Sequence, residues 1–231
     1  MKLESIKEIK GKIILRSGLH VGAGDMEMKI GGVDNPVIKH PHTQEPYIPG
    51  SSLKGKVRSL LEMRSGLMPK TGGDPVSVKT LDKCNDNGEI EICKKILKLF
   101  GASGAETDPG IGPTRVSFAD CPMDDKWKAK AREDHLSFTE VKSENSINRI
   151  KGTAENPRFS ERVPSGVEFK FTVTLKQLNS NESELEDFLM EGLKLLQMDT
   201  LGGSGSRGYG RIEFQFNEES VQKKFDEVKP L

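Results

Sequence analysis

Apolar and polar residues alternate without a break through VEFKFTVTL, where Val167, Phe169, Phe171, Val173 and Leu175 take every second position. A period of two predicts a strand with those residues on one face and Glu168, Lys170, Thr172 and Thr174 on the other. Shorter runs of the same period occur in GRIEFQF, through Ile212, Phe214 and Phe216, and in TRVSFADC at 114–121, through Val116 and Phe118. Residues 5–16 carry Ile6, Ile9, Ile13, Ile14 and Leu15 among charges and run into the Gly-rich HVGAGD, which predicts a first strand and a loop. Helical spacing takes over in PGSSLKGKVRSLLEMR, where Leu53, Val57, Leu60 and Leu61 fall on one side and Ser51 or Ser52 is placed to cap the start. A second helix is predicted over ESELEDFLMEGLKLLQMD, with acids in its first turn and Leu185, Phe188, Leu189, Leu193 and Leu196 on one stripe.

The order strand, helix, strand, strand, helix, strand predicts an α+β fold with a ferredoxin-like (RRM-like) βαββαβ core. Two stretches fall outside it. Residues 64–113 are rich in Gly, Pro, Asp and Lys, hold one amphipathic segment, EIEICKKILKLFG, and read as an insertion over the core. Residues 139–165 are polar and charged without a clear period, and read as a protruding loop or hairpin. The expectation is a single domain over 1–231 with two insertions.

A chain of 231 residues is long enough to bury a core without disulfides. Three unevenly spaced cysteines, Cys84, Cys93 and Cys121, and a charged N-terminal MKLESIKEIK predict a cytoplasmic protein. No apolar run approaches the ~18 residues that would span a bilayer, so no membrane role is expected. Lys plus Arg and Asp plus Glu both total 35, so a nucleic-acid partner would have to be held by a local patch.

Two stretches could form such a patch. Between 51 and 70 there are five basic residues and one acid, with Lys54 and Arg58 four apart on one helical face and Lys56 between them. The loop LGGSGSRGYGR at 201–211 matches G-x-G-x-x-G, but it follows a helix and precedes a strand, the reverse of a dinucleotide site. Within it, RGYGRIEF differs from the RNA-recognition signature at Arg211 and Ile212, which removes one stacking ring. What remains is a run of glycines beside Arg207 and Arg211 that could hold phosphates at close approach, or a flexible connection. Cys84, Cys93, Cys121 and His135 are four candidate zinc ligands, though the Cys84–Cys93 gap departs from the usual C-x2–4-C spacing. His20 follows the first strand beside Gly22 and Gly24, His40 and His42 flank Pro41, and Asp34 in GGVDNPVIK reads locally as turn chemistry.

Five motifs in order, HVGAGD, IGGVDNPVIK, YIPGSSLKGKVR, TEVKSENSINRIKGTAENPRFSERV and LGGSGSRGYGRI, resemble the RAMP-superfamily backbone subunits of Csm complexes, the type III-A CRISPR effectors. The resemblance spans nearly the whole chain and is weakest over 64–113. It implies a filament of copies gripping a CRISPR RNA together with other Csm subunits, and cleavage of a complementary target RNA at regular intervals. It makes 64–113 a lid and 139–165 a thumb, with Ile147 or Ile150 as apolar wedges and Lys142, Arg149 and Lys151 on the RNA backbone. It makes Asp34 the catalytic residue and ligand of a divalent cation, Mg2+, in a metal-dependent endoribonuclease. His20, Ser51, Ser52, Lys54, Lys56, Arg58, Arg149, Gly203, Gly205 and Arg207 become RNA-binding residues. Chemically, a loop carboxylate could accept the ribose 2′-hydroxyl proton or hold a hydrated cation. The alternatives are a guide-binding subunit with an inert Asp34, a backbone subunit of the related Cmr complex, and a small-nucleotide enzyme on the same fold.

Overall fold

The computed structural model describes residues 2–24, 33–102, 108, 110–179 and 182–231. Gly31 and Gly32 of the GGVDNPVIK stretch lie outside the described residues. The first half contains β1 (Ser5–Leu15), β2 (Tyr47–Ile48), α1 (Gly50–Arg64), α2 (Met68–Thr71), α3 (Val78–Leu81) and α4 (Asn87–Phe100). Then come β3 (Val116–Phe118), β4 (Cys121–Pro122), α5 (Asp125–Glu133), and a hairpin of β5 (Glu140–Ile147) and β6 (Ala154–Arg162). The chain closes with β7 (Glu168–Gln177), α6 (Glu184–Met198), β8 (Ile212–Phe216) and α7 (Glu219–Glu227).

The architecture is mixed α/β with antiparallel sheets. Four strands form the main sheet in the order β3–β7–β1–β8, and every neighbouring pair is antiparallel. The register sets Ile9 against Val173 and Ile13 between Phe169 and Phe214, so the alternating apolar positions share one buried face. Leu53, Val57 and Leu61 of α1 and Leu185, Leu189, Leu193 and Leu196 of α6 belong to the same core. Gly192 lets these two helices meet, since a Cβ there would lie 2.7 Å from Val57 Cγ1. Cys93, Ile96, Leu97 and Phe100 of α4 are also buried in this core. The 64–113 stretch is therefore built into the core through α4 as well as lying over it.

Two helices escape the periodicity argument. The nine-residue α7 inserts Phe225 against Phe214 and Phe216, with ring centroids 6.0 and 5.0 Å apart, and closes the β8 end of the core. The nine-residue α5 is capped by Asp124, whose Oδ1 accepts the N–H groups of Lys126 and Trp127.

The opposite face of the main sheet carries paired charges. Lys12 contacts Glu168 at 2.7 Å, Lys10 contacts Glu8 at 2.5 Å, Arg16 pairs with Glu213 and Lys170 with Asp125. Tyr209 and Phe214, the aromatic residues of the RNA-recognition-like stretch, are both buried, as is the neighbouring Phe216. The base-stacking platform of an RNA-recognition sheet is thus absent from this face among the described residues.

Candidate functional site

Asp34 sits in an exposed loop that crosses the base of the β5–β6 hairpin. Its Oδ2 accepts the N–H of Phe159 at 3.0 Å, and its other oxygen has no partner among the described residues. The next residue bridges the same strand: Asn35 O accepts the N–H of Glu161 at 3.0 Å, and Asn35 Nδ2 lies 3.4 Å from Ser160 Oγ. Glu161 is buried, and its carboxylate accepts the Val37 N–H at 3.0 Å and the Lys39 ammonium at 2.6 Å. Burial opposes the charge on Glu161. The Lys39 ammonium, the Val37 N–H and the Thr139 hydroxyl together outweigh it and hold the carboxyl below its ordinary range.

His20 meets the same strand. Its Nδ1 is 2.7 Å from Glu161 O, and because a carbonyl only accepts, Nδ1 carries the proton and Nε2 is the free nitrogen. The loop holding His20 pairs with the Asp34 loop through Ile38 N–H to Val21 O at 2.8 Å and a Gly22–Val37 bridge. His20 O in turn accepts the Gly203 N–H at 2.9 Å. Three segments far apart in sequence, around 20, 34 and 203, therefore meet at β6.

The Gly-rich loop differs from the expected open cradle. Gly203, Arg207, Gly208 and Gly210 donate their N–H groups to His20, Ser204, Gly205 and Gly18, so these donors are occupied within the protein. At Gly202, Gly205 and Gly210 close packing leaves no room for a side chain. At Gly202, with φ +75°, a Cβ would lie 2.3 Å from His20 O, and at Gly205 it would lie 2.2 Å from Thr200 Oγ1. Arg207 pairs with Glu144 of β5 at 3.0 Å, and the buried Tyr209 donates to Glu144 at 3.1 Å. Lys142 and Arg162 stand over the Tyr209 ring at 4.6 and 4.9 Å. Lys142, expected on RNA, is thus engaged with Tyr209 and with Glu144 at 3.2 Å. A cavity of about 500 Å3 opens here, lined by Lys142, Arg158, Arg207 and Glu144 among others, with three cations to one acid.

The α1 start also differs from expectation. Its N-cap is Pro49, not Ser51 or Ser52, and the Gly50 N–H goes to Asp120 Oδ1 at 2.7 Å, a carboxylate supplied by the end of β3. Gly50 permits this approach, because a Cβ would lie 2.2 Å from Phe118 O. Ser51 is exposed and Ser52 half-buried. Lys54 is half-buried without an ion pair among the described residues, and burial followed by the nearby Arg58 charge lowers its pKa. Lys56 pairs with Asp199 at 2.6 Å. The Arg58 guanidinium donates to Glu62 Oε1 at 2.7 Å, Gly101 O at 3.2 Å and Val76 O at 2.5 Å. These bonds tie α1 to the 64–113 stretch and take up three of the five guanidinium N–H groups.

At the far end of the hairpin, Arg149, Ile150 and Lys151 occupy the turn, and Ile150 is 98% exposed. Ile147 is exposed at the end of β5. Phe159 is 46% exposed and is the one exposed aromatic residue among those described. Burial, and then the neighbouring Cys84, push the Cys93 thiol up to about 12, while Cys121 is buried within β4 opposite Ile48. No group of three His, Cys, Asp or Glu side chains suited to a metal ion forms among the described residues. No helix among them is long and apolar enough to cross a membrane.

The RAMP superfamily profile matches residues 12–213. The chain is 39% identical over 230 residues to the CRISPR system Cms endoribonuclease Csm3 of Methanothermobacter thermautotrophicus, covering 93% of this chain and 86% of that one. The protein of the same name from Streptococcus thermophilus is 40% identical over 215 residues, covering 90% and 86%. Among solved structures, the Csm3-Csm4 subcomplex of the type III-A CRISPR-Cas interference complex contains a similar chain, with TM-score 0.57, 25% identity and 99% of both chains covered.

Proposed function

The chain belongs to the RAMP superfamily, and from that premise we propose that it is a CRISPR RNA-binding backbone subunit of a type III-A effector that cuts complementary target RNA with Asp34. The observation that carries this reading is the Asp34 carboxylate, fixed by one oxygen to the Phe159 N–H at 3.0 Å and, among the described residues, open at the other. Relatives at 39% and 40% identity that carry the name endoribonuclease support it. The core is read as ferredoxin-like on its strand order, with the 64–113 stretch as lid and the β5–β6 hairpin as thumb.

The chemistry follows from the fixed carboxylate. Its free oxygen accepts the proton of a ribose 2′-hydroxyl, and the resulting oxygen attacks the adjacent phosphorus in line. The bond from phosphorus to the 5′-oxygen breaks, leaving a 2′,3′-cyclic phosphate and, after protonation by water, a 5′-hydroxyl. Lys54 and the cavity with Arg158 and Arg207 bind the RNA phosphates, while the unprotonated Nε2 of His20 can accept from a ribose hydroxyl. The exposed Phe159 ring offers a face on which a base stacks, worth ~1–3 kcal/mol. In the alternative role, Asp34 would be the protein ligand of a Mg2+ ion, which commonly uses one or two carboxylates, substrate phosphate and water. When bound, it neutralises charge on the phosphate. Further copies of the chain and other Csm subunits are its partners in the assembly.

The test is the purified complex with Asp34→Ala. Native mass should show a bound RNA of defined length in wild type and variant alike, while target cutting in Mg2+ falls by about 10²–10⁴-fold. Wild-type cutting by the variant would leave Asp34 a turn residue and the catalytic reading without support.

A further inference from the structure

Glu161 makes more connections to the Asp34 loop than any turn requires. Its side chain is 9% exposed, and an unpaired carboxylate at such a place would cost several kcal/mol. One oxygen accepts the Val37 N–H and the other the Lys39 ammonium, while its main chain donates to Asn35 O and accepts from His20 Nδ1. The Asp34 side chain has one fixed point of its own, the Phe159 N–H. With that bond alone the loop could pivot about Asp34. The bonds at Asn35 and Val37 add two more points, on either side of Pro36, whose ring already fixes φ. Glu161 also sets which His20 nitrogen is free, so one residue orients both groups.

We propose that Glu161, paired with Lys39, is a positioning residue for target cutting, holding the Asp34 loop against the hairpin base so that the free carboxylate oxygen keeps one orientation. This rests on the reading of Asp34 as the cutting residue. Glu161 touches neither RNA nor the reacting atoms; it acts through the loop.

Glu161→Gln separates the idea from simple packing. The amide is the same size, but it has one oxygen where two are needed. Whichever way it turns, its NH2 faces either the Val37 N–H or the Lys39 ammonium, both donors. Adding Lys39→Met removes the ammonium and lets the amide oxygen face Val37. The complex is assembled on guide RNA with wild-type chain, Asp34→Ala, Glu161→Gln, Lys39→Met and the Glu161→Gln/Lys39→Met double variant. Single-turnover cutting at saturating target and target affinity are measured separately, with melting as a check on folding.

Glu161→Gln should assemble, melt and bind target as wild type, yet cut about 10²-fold more slowly, as expected for a displaced catalytic group. The double variant should recover about tenfold of that loss. The proposal is overturned if Glu161→Gln cuts at the wild-type rate while Asp34→Ala does not. It is also overturned if the whole loss lies in affinity or melting, or if the double variant is slower than Glu161→Gln. If Asp34→Ala itself cuts normally, both this proposal and the catalytic reading fall.

Discussion

The N–H of Phe159 donates to the carboxylate of Asp34 at 3.0 Å, joining residues 125 positions apart in the chain. The hairpin therefore has two separable parts: a base that holds the Asp34 loop and a tip that reaches outward. Removing Ile147–Ala154 and joining Ser146 to Glu155 through Asn-Gly should keep the base intact, because those two residues already face each other across the strands. Circular dichroism and melting should match wild type, and target should still be cut. The regular spacing of the cuts should be lost, as the exposed Ile147, Arg149 and Ile150 go with the tip. Unchanged spacing on a sequencing gel would place the spacing element elsewhere, with the 64–113 stretch next to be tested.

Lys54 and Arg58 lie on one turn of α1 but should behave in opposite ways. Lys54→Ala should lower the salt slope of RNA binding by about 0.7 per lost contact on single strands, with melting unchanged. Arg58→Ala should leave the slope alone and destabilise by ~1.5–3 kcal/mol, since Glu62 and two carbonyls lose their charged donor. A salt titration beside a thermal melt decides, and a reduced slope for Arg58→Ala would return it to the RNA surface.

Arg115 and Glu182 are 1% and 5% exposed and form an ion pair at 2.6 Å, with Glu182 also accepting the Leu178 N–H. Burial disfavours the Glu182 charge, but Arg115 and the Leu178 N–H hold its pKa below the ordinary 4.5. A depressed carboxylate contributes stability that is complete above its unfolded pKa and is lost as pH falls through the folded one. Arg115→Met should cost ~3–5 kcal/mol at neutral pH by leaving Glu182 unpaired, and its deficit should shrink below pH 4.5. Denaturant melts from pH 7 to pH 3 read this directly; a deficit independent of pH would mean that packing, not charge, is what the arginine supplies.

Tyr209→Phe should keep the ring under Lys142 and Arg162 and remove only the hydroxyl bond to Glu144. The expected loss is ~0.5–1.5 kcal/mol, felt as faster amide exchange around Lys142–Glu144 and not in the main sheet. Faster exchange throughout the sheet would show that Tyr209 supports the core itself.

The main sheet was legible because its strands keep a clean period of two with one buried face, as Phe169, Phe171 and Val173 do. The helix α7 was not, because its core contact reduces to Val221 and Phe225, one turn apart among charges. The N-cap of α1 was misplaced at Ser51 or Ser52 because the group that takes the Gly50 N–H is Asp120, in the connection between β3 and β4, seventy positions away. Asp34 was singled out by resemblance, while local grammar gave only a turn. Glu161 was missed for a related reason: in RFSERV it is one more acid in a charged stretch, and only tertiary contacts with Val37, Lys39 and His20 distinguish it. The carbonyl partners of Arg58, Gly101 and Val76, leave no mark in sequence.

The long reach from Asp34 to Phe159 also has a consequence for how the protein comes off the ribosome. At about 5–20 residues per second, the 125 positions between them take roughly 6–25 s to synthesise. For all of that time the Asp34 loop has neither Phe159 nor Glu161 to hold it. Strand β1 waits longer still, since both its neighbours, β7 and β8, come later in the chain. A nascent chain therefore carries its acidic loop past cellular RNA in an unassembled form, and the loop acquires its orientation only after the hairpin has emerged.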